Sequence, residues 1–468
     1  VIKSRAKVKA MAHQIKSIKH DADNPVVLDL SDAGTGKGFV RIVTYAERRS
    51  QGAGCMLVLA PRSLLRSVWF NDFKKFAPQL KVVVATASSR EEAFSEEADV
   101  YVTNHDAVKW LVNKKPIFWK KFSELVVDES PAFKHHTSQR AKALVKISKH
   151  FSHRKMLTAT PTSNGICDIW NQVFILDEGK RLGPSYFSFR NSVCEAQQVG
   201  RVAHAVRWTD KVGAEEAVYG LLNDIVVRHR RDECLDIPAT HIYTIPYEMT
   251  AKQQKAYDDL EQHQLLPLID QIGKAKQAQI VAINAAAVMT KLLQVSSGAV
   301  YDGSGEYAVI DLSRYEMIMD LVEARKHPIV FFLWQHQCDL LTKEAEKRGL
   351  NFAVIDGTVG DNERHAIVHS YQQGKYDVLF AHPQTAAHGL TLTRGTSTIW
   401  ASPTYNLEWF IQGNSRQARI GQTEKTEVIT VLAEGSRELE IYNQILIPKG
   451  ERMSNLLDLV VQGTKELV

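Results

Sequence analysis

The 468-residue chain carries 58 Lys and Arg against 53 Asp and Glu, a formal charge of +5, with 44% hydrophobic and 24% charged residues. These figures exclude a disordered chain and a histone-like polycation, and leave room for two or three domains, each with its own core. The five cysteines (positions 55, 167, 194, 234 and 338) form no C-x-x-C pair, and no run approaches the roughly 18 apolar residues of a membrane span, so a zinc ribbon, a disulfide framework, secretion and a membrane anchor are not expected.

In chain order, Met11-Ala12-His13-Gln14-Ile15 reads as part of a helix. Val26–Leu30 is a short apolar strand running into Ser31-Asp32-Ala33-Gly34-Thr35-Gly36-Lys37-Gly38, ahead of a helix that starts near Phe39. Glycines let the backbone curl so that N–H groups face phosphate oxygens, the helix N-terminus adds positive field, and Lys37 supplies a mobile charge for terminal phosphates. Position 38 departs from the pattern of such loops, which place a metal-ligating Ser or Thr after the lysine.

Strands followed by polar tips recur at Cys55–Ala60, Val82–Val84, Asp99–Asn104, Leu125–Val127 and Lys155–Leu157, and Ser63 is placed to cap a helix carrying Trp69 and Phe70. That rhythm predicts a parallel sheet with working residues at the strand C-terminal ends. From about Asn164 to Lys326 the pattern turns helical, at 186–194, 214–226, 250–264 and 277–294. Strands resume at 328–333, 352–355, 378–381, 398–401 and 427–432, a second α/β domain in which Trp400, Trp409 and Phe410 read as core.

Asp128-Glu129 ends an apolar strand, where the first carboxylate is suited to Mg²⁺ and the second to polarising a water. Thr158 and Thr160 offer hydroxyls at the next strand tip, able to bond the carboxylates and relay the state of a γ-phosphate. Gln412, Arg416 and Arg419, at i, i+4 and i+7, are expected along one helical face, with the arginines placed to reach a γ-phosphate across a cleft. Lys134-His135-His136 lacks converging partners for a metal site.

Together these strings resemble a superfamily 2 helicase-type motor, of the SWI/SNF type. Gln14 matches the adenine-reading glutamine, 32–37 the phosphate loop, 128–134 the DEAH-like box and 157–164 the L-T-G-T-P-x-x-N string. Phe189-Arg190-Asn191 with Cys194, Val227–Arg231 and Leu292–Gly298 resemble landmarks of SWI/SNF-type proteins; Ile355–Thr358, His388–Thr393 and Gln412–Thr423 resemble second-lobe motifs. Besides Gly38, Ser130-Pro131 stands where Ala-His is usual and Arg394-Gly395 where Ala-Ala is usual.

The resemblance implies an α/β fold of two RecA-like parallel-sheet lobes with helical insertions between them: an ATP-binding lobe over 1–236 with a protrusion from about 164, a second protrusion and linker over 237–312, and a helicase lobe over 313–468. ATP and Mg²⁺ are the implied cofactors. Catalysis falls to Lys37, Asp128, Glu129, Arg416 and Arg419, and nucleotide binding to Gln14, Asp32, Ala33, Gly34, Thr35, Gly36, Lys37, Gly38, Gly389, Gln412, Arg416 and Arg419. Coupling falls to Thr158 and Thr160, and contact with nucleic-acid phosphates to Arg62, Ser63, Thr103, Asn104, Thr358, Thr385 and Thr391. The expected partner is double-stranded DNA, tracked without sequence preference by a monomer in a bacterial cytoplasm, or by a viral protein in a bacterial host. A strand-separating DNA or RNA helicase is the alternative, and a non-hydrolysing clamp a more distant one.

Overall fold

The computed structural model describes residues 9–198, 206–265, 278–386, 390–451 and 453. The chain divides into two compact units, one formed mainly by Val1–Cys194 with Asp210–Asp236, the other mainly by Ile237–Gly450.

In the first unit the strands are β1 (Val26–Asp29), β2 (Cys55–Ala60), β3 (Val82–Ala85), β4 (Val100–Asn104), β5 (Phe122–Asp128) and β6 (His153–Leu157). A two-stranded pair, β7 (Cys194–Gln198) and β8 (Val206–Asp210), most of whose residues group with the other unit, precedes β9 (Val226–Val227) in the chain. The main sheet runs β3-β4-β2-β5-β6-β1-β9 with all pairs parallel. All six residues of β2 are buried, as a central strand covered on both faces requires. One face packs Ile42 and Tyr45 of helix Lys37–Ser50 together with Leu65, Trp69 and Phe73 against Met56, Val58 and Val126.

A buried charge cluster joins the helices Ala12–Asp23 and Lys37–Ser50 to the interior strands β1, β6 and β5. Arg41 pairs with Asp21 and, at 3.1 Å, with Asp29; Lys155 reaches Asp21 at 2.8 Å, and Arg48 reaches Glu124 at 2.8 Å. Arg41, Asp21 and Lys155 are fully buried. Burial alone would push the Asp21 carboxyl up, but the surrounding Arg41, Lys155 and Arg48 hold it well below the usual carboxylate range. Asp29 also accepts the Ser31 N–H at 3.1 Å, so the cluster braces the first residue of the glycine loop.

The second unit contains β10 (Thr240–Tyr247), an antiparallel hairpin of β11 (Ala299–Tyr301) and β12 (Tyr307–Val309), then β13 (Ile329–Phe331), β14 (Phe352–Ile355), β15 (Val378–Ala381), β16 (Ser397–Trp400) and β17 (Thr426–Ala433). The parallel sheet runs β10-β17-β16-β13-β15-β14. Arg314 and Glu438, both fully buried, pair at 2.9 Å, and Arg314 also donates to the carbonyls of Ser296, Ala401 and Val431, which ties the helix Ala278–Ser296 to the sheet. Trp400 is fully buried and stacks on Phe331, as a core residue.

The helical reading of the middle of the chain needs correction at three places besides the strand pair β7–β8, which takes Cys194 from the helix expected over 186–194. The helix expected over 214–226 is Ala214–Gly220, and Val226-Val227 instead joins the first sheet beside β1. Thr240–Tyr247 is an edge strand of the second sheet; its β-branched and aromatic residues suit a pleat, and Pro246 is tolerated at an edge. The hairpin β11–β12 is the third. The helices Tyr186–Val193, Ala251–Leu260 and Ala278–Ser296 form where the periodicity places them. Among the described residues no helix is long and apolar enough to cross a membrane.

Candidate active site

Parallel register sets Asp29, Leu157 and Asp128 level with one another on the adjoining strands β1, β6 and β5. The three turns that follow therefore emerge side by side at the carboxyl edge of the sheet, where open α/β sheets hold their ligands.

The glycine loop takes a left-handed course at Gly34 (φ +89°) and Gly36 (φ +90°), and Gly36 opens the helix Lys37–Ser50. A Cβ at Gly36 would lie 2.3 Å from Gln14 Nε2, so glycine is required there by space as well as by backbone. Gln14 donates through Nε2 to the Thr35 carbonyl at 3.1 Å and accepts the Met11 N–H at 3.0 Å, while His13 Nε2 meets the same Thr35 carbonyl at 2.8 Å. Lys37 Nζ donates to the carbonyls of Ser31 (2.6 Å) and Asp32 (3.2 Å), within its own loop. Asp32 accepts from Arg228 at 2.6 Å and from the Arg231 N–H at 2.9 Å. Burial raises its carboxyl, but Arg228, the Arg231 N–H and Lys37 together hold it below the usual range. Asp32 is thus a brace of the loop, and a Cβ at Gly38 would enter open space.

Asp128 accepts the Trp69 indole N–H at 2.9 Å on Oδ2 and the Glu129 N–H at 3.1 Å on Oδ1. Its carboxyl is pushed up to about 7, by burial first and by the Glu129 charge second; Trp69 and Lys37 pull the other way. Glu129 sits at φ +50°, a left-handed backbone that costs a non-glycine residue about 1–2 kcal/mol. The Asp128 carboxylate at the strand tip is an oxygen donor of the kind a hard cation takes, commonly through its water shell, and the fit for Mg²⁺ rests on it, since Gly38 has no donor side chain. Thr158 Oγ1 accepts the Thr160 N–H at 2.9 Å, and the buried Thr160 hydroxyl has no partner among the described residues.

Of the phosphate-contacting residues expected in this unit, Arg62 is exposed and Ser63 half-buried; Asn104 accepts from Arg90 at 3.3 Å. Thr103 is a correction. It is fully buried, and its hydroxyl donates to the Ala85 carbonyl of the neighbouring strand at 2.7 Å, so it belongs to the sheet interior. Ser63 does not cap the next helix, a π-helical turn Leu65–Phe70 whose N-cap is Leu64.

In the second unit the arginine string is not one helical face. The helix Leu407–Asn414 stops with Ser415 at its C-cap, and Arg416 and Arg419 lie in the turns beyond. The helix tightens into its last turn, where the Arg416 N–H bonds to the Gly413 carbonyl, and it does not continue beyond, where the Arg416 carbonyl accepts instead from Leu392 at 3.0 Å. Gln412 is on the helix and buried. The nearly buried Arg416 donates from Nε to the Gln412 carbonyl at 2.6 Å, and Arg419 donates to the Ser415 carbonyl at 3.0 Å and to Thr391 at 3.2 Å. Thr358 and Thr391 are exposed, Thr385 is half-buried, and Gly389 lies outside the described residues.

Sequence reasoning missed Trp69 as a partner of Asp128, Arg228 as the counter-ion of Asp32, and Gln172, which bridges two of the turns. A tryptophan or glutamine at helical spacing reads as packing, and no local signal marks it otherwise.

Residues 10–297 match the SNF2-related domain and residues 313–421 the helicase conserved C-terminal domain. The chain is similar to the putative protein p41 of Acyrthosiphon pisum secondary endosymbiont phage 1, 27% identical over 87% of this chain and 88% of that protein. It is also similar to an uncharacterized ATP-dependent helicase of Mycoplasma pneumoniae, 24% identical over 86% of this chain but spanning only 37% of that longer protein. Among solved structures it is similar to the Sulfolobus solfataricus SWI2/SNF2 ATPase core in complex with dsDNA, with a TM-score of 0.45 and 19% identity, covering 100% of this chain and 98% of that one. With the first of these domain matches spanning well over half of its residues, the chain belongs to the SNF2-related family of helicase-type, DNA-dependent ATPases.

Proposed function

We propose that the chain hydrolyses Mg²⁺-bound ATP to move along double-stranded DNA and remodel the DNA or what is bound to it. The observation that carries the reading is the level placement of the glycine loop, the acidic pair and the Thr158–Pro161 turn on three adjoining strand ends. In this reading Lys37 exchanges its two loop carbonyls for the terminal phosphates, and the loop N–H groups hold the others. Asp128 holds the cation, which neutralises phosphate charge, and Glu129 orients the attacking water. Gln14, fixed on Thr35, fronts the base, and Thr158 and Thr160 report the presence of the γ-phosphate. Arg416 and Arg419 stabilise the charge that spreads over the transferred phosphoryl group once released from their present carbonyls.

Exposed Arg62, Thr358 and Thr391, with half-buried Ser63, Asn104 and Thr385, are assigned to DNA phosphates, which carry position and no sequence, so binding is salt-sensitive and sequence-independent. Trp400 and Phe410 are buried, while Trp409 is half-buried against His382, so two of the three aromatics that could stack on bases are core, which supports translocation over unwinding. The phage relative's source supports a bacterial or viral setting, and a monomer satisfies the reading.

Phosphate release measured with duplex DNA, single-stranded DNA and RNA, alongside displacement of a triplex third strand, tests this. Duplex stimulation of at least tenfold, absent in Lys37→Ala, with third-strand displacement and an intact plain duplex, is expected. Equal stimulation by single strands with efficient fork unwinding would overturn translocation in favour of a helicase.

A further inference from the structure

The acidic pair and the Thr158–Pro161 turn leave neighbouring strands, yet their link does not run through the threonine hydroxyls. It runs through Gln172. Ser130, directly after Glu129, donates its hydroxyl to Gln172 Oε1 at 2.6 Å; Gln172 Nε2 donates in turn to the carbonyls of Pro161 and Asp168, each at 2.9 Å. Ser130 and Gln172 are both fully buried. Gln172 lies on the helix Ile169–Asp177, whose neighbouring Ile169, Trp170, Val173, Ile175 and Leu176 are buried and apolar. The same helix supplies Asn171, which donates to the Phe133 carbonyl at 2.5 Å, and it is preceded by Asp168, which pairs with Lys134 at 3.0 Å.

Gln172 satisfies the buried Ser130 hydroxyl and the Pro161 carbonyl, which an apolar side chain of the same volume would leave without this partner, and each polar atom of Gln172 is itself matched. What the glutamine adds is a rigid two-ended contact. One end follows Ser130, and so the left-handed Glu129 backbone beside it; the other holds the carbonyl of Pro161, the residue after Thr160, whose buried hydroxyl has no partner among the described residues. The buried bridge gives a shift at Glu129 a hydrogen-bonded route to the residue after Thr160 that does not pass through solvent.

We propose that Gln172, with Ser130, is a positioning residue that transmits the state of the acidic pair to the Thr158–Pro161 turn and thereby sets how strongly DNA stimulates hydrolysis. The Ser130-Pro131 departure from the family pattern is then one half of a matched polar pair. The proposal rests on reading Asp128-Glu129 as the hydrolytic pair.

The test is steady-state ATP hydrolysis by the full chain, with and without duplex DNA, for Gln172→Met, Ser130→Ala and the double variant, each with a melting temperature. For Gln172→Met the ratio of DNA-stimulated to basal kcat falls at least fivefold while KM for ATP moves less than twofold; Ser130→Ala gives a smaller fall of the same kind. The double variant, which strands no hydroxyl, recovers melting temperature but not the ratio, and reads the ratio even where the single Gln172 variant is too unstable to assay. An unchanged ratio in Gln172→Met or in the double variant, with only melting temperature lost, overturns the proposal. Glu129→Gln separates the two claims: hydrolysis persisting in that variant refutes the assignment of the pair itself, whereas its loss alongside an unchanged ratio in Gln172→Met refutes only the bridge.

Discussion

Trp69 donates its indole N–H to the Oδ2 of Asp128 at 2.9 Å, from a ring that is almost wholly buried. The bond favours the ionised carboxylate, against burial and the Glu129 charge that push the group up to about 7. Trp69→Phe keeps the packing and deletes the donor. The carboxyl then rises further, fewer molecules present a carboxylate to Mg²⁺ at neutral pH, and kcat/KM for MgATP falls about tenfold at pH 7 with partial recovery at pH 8.5. Hydrolysis across that range, at fixed free Mg²⁺, checks this; a pH-independent loss would assign Trp69 to packing alone.

Gly38 stands where a metal-ligating hydroxyl is usual, and a Cβ there meets open space. Gly38→Thr is expected to lower the Mg²⁺ concentration for half-maximal hydrolysis severalfold. Replacing a glycine in the first turn of helix Lys37–Ser50 also adds about 0.5 kcal/mol of stability, visible as a small rise in melting temperature. Titration of Mg²⁺ at saturating ATP decides it, and an unchanged requirement would mean that another group already serves the cation.

Arg416 and Arg419 are held by backbone carbonyls of their own unit. If they act on the transition state, Arg416→Ala or Arg419→Ala lowers kcat at least a hundredfold and leaves ATP affinity within a fewfold of the parent. Equilibrium binding of a fluorescent ATP analogue beside turnover assays separates these, and matched losses in both would count against the role.

Arg41, fully buried, is shared by Asp21 and Asp29. Arg41→Met takes the guanidinium from buried Asp29 and leaves Asp21 to Lys155 and Arg48, and is expected to cost about 3–5 kcal/mol in chemical denaturation of the first unit. It is also expected to weaken ATP binding, because Asp29 loses its hold beneath Ser31. A destabilisation under 1 kcal/mol would show that the cluster relaxes around the loss.

His336, fully buried with Nε2 on Ser297 at 2.7 Å, is held down to about 4, chiefly by burial; Asp339 raises it and Arg314 lowers it. The unfolded chain binds a proton near 6.5 and the folded one only near 4, so stability falls as pH drops through that window, by up to about 3 kcal/mol. Urea midpoints of the parent between pH 7 and 4.5 should fall more steeply than those of His336→Gln, and parallel slopes would exclude this histidine as the cause.

The two parallel sheets, the glycine loop and the acidic pair were legible because each is a local pattern: an apolar run, then small or charged residues at a strand tip. Thr240–Tyr247 escaped because an eight-residue edge strand with mixed exposure has no clean alternation, and its partner, Thr426–Ala433, is far away in sequence. Thr103 was misplaced for the opposite reason. A threonine at a strand end resembles a surface donor until the neighbouring strand supplies the Ala85 carbonyl. The arginine string had helical spacing, but Leu392 takes the Arg416 carbonyl, and a contact between segments overrides a local propensity. Gln172 and Trp69 were invisible because their meaning lies wholly in what tertiary packing brings to them.

Lys37 rests its ammonium on two uncharged oxygens of the loop it serves. Anionic oxygens outbid such acceptors, so a polyphosphate entering the turn takes over a cation already pointed inward, and the peptide path around it is retained by the Gln14 and Asp32 contacts. Loading and emptying this loop then amounts to the swing of one aliphatic stem, a step of nanoseconds, which leaves slower rearrangements elsewhere to set the pace of the cycle.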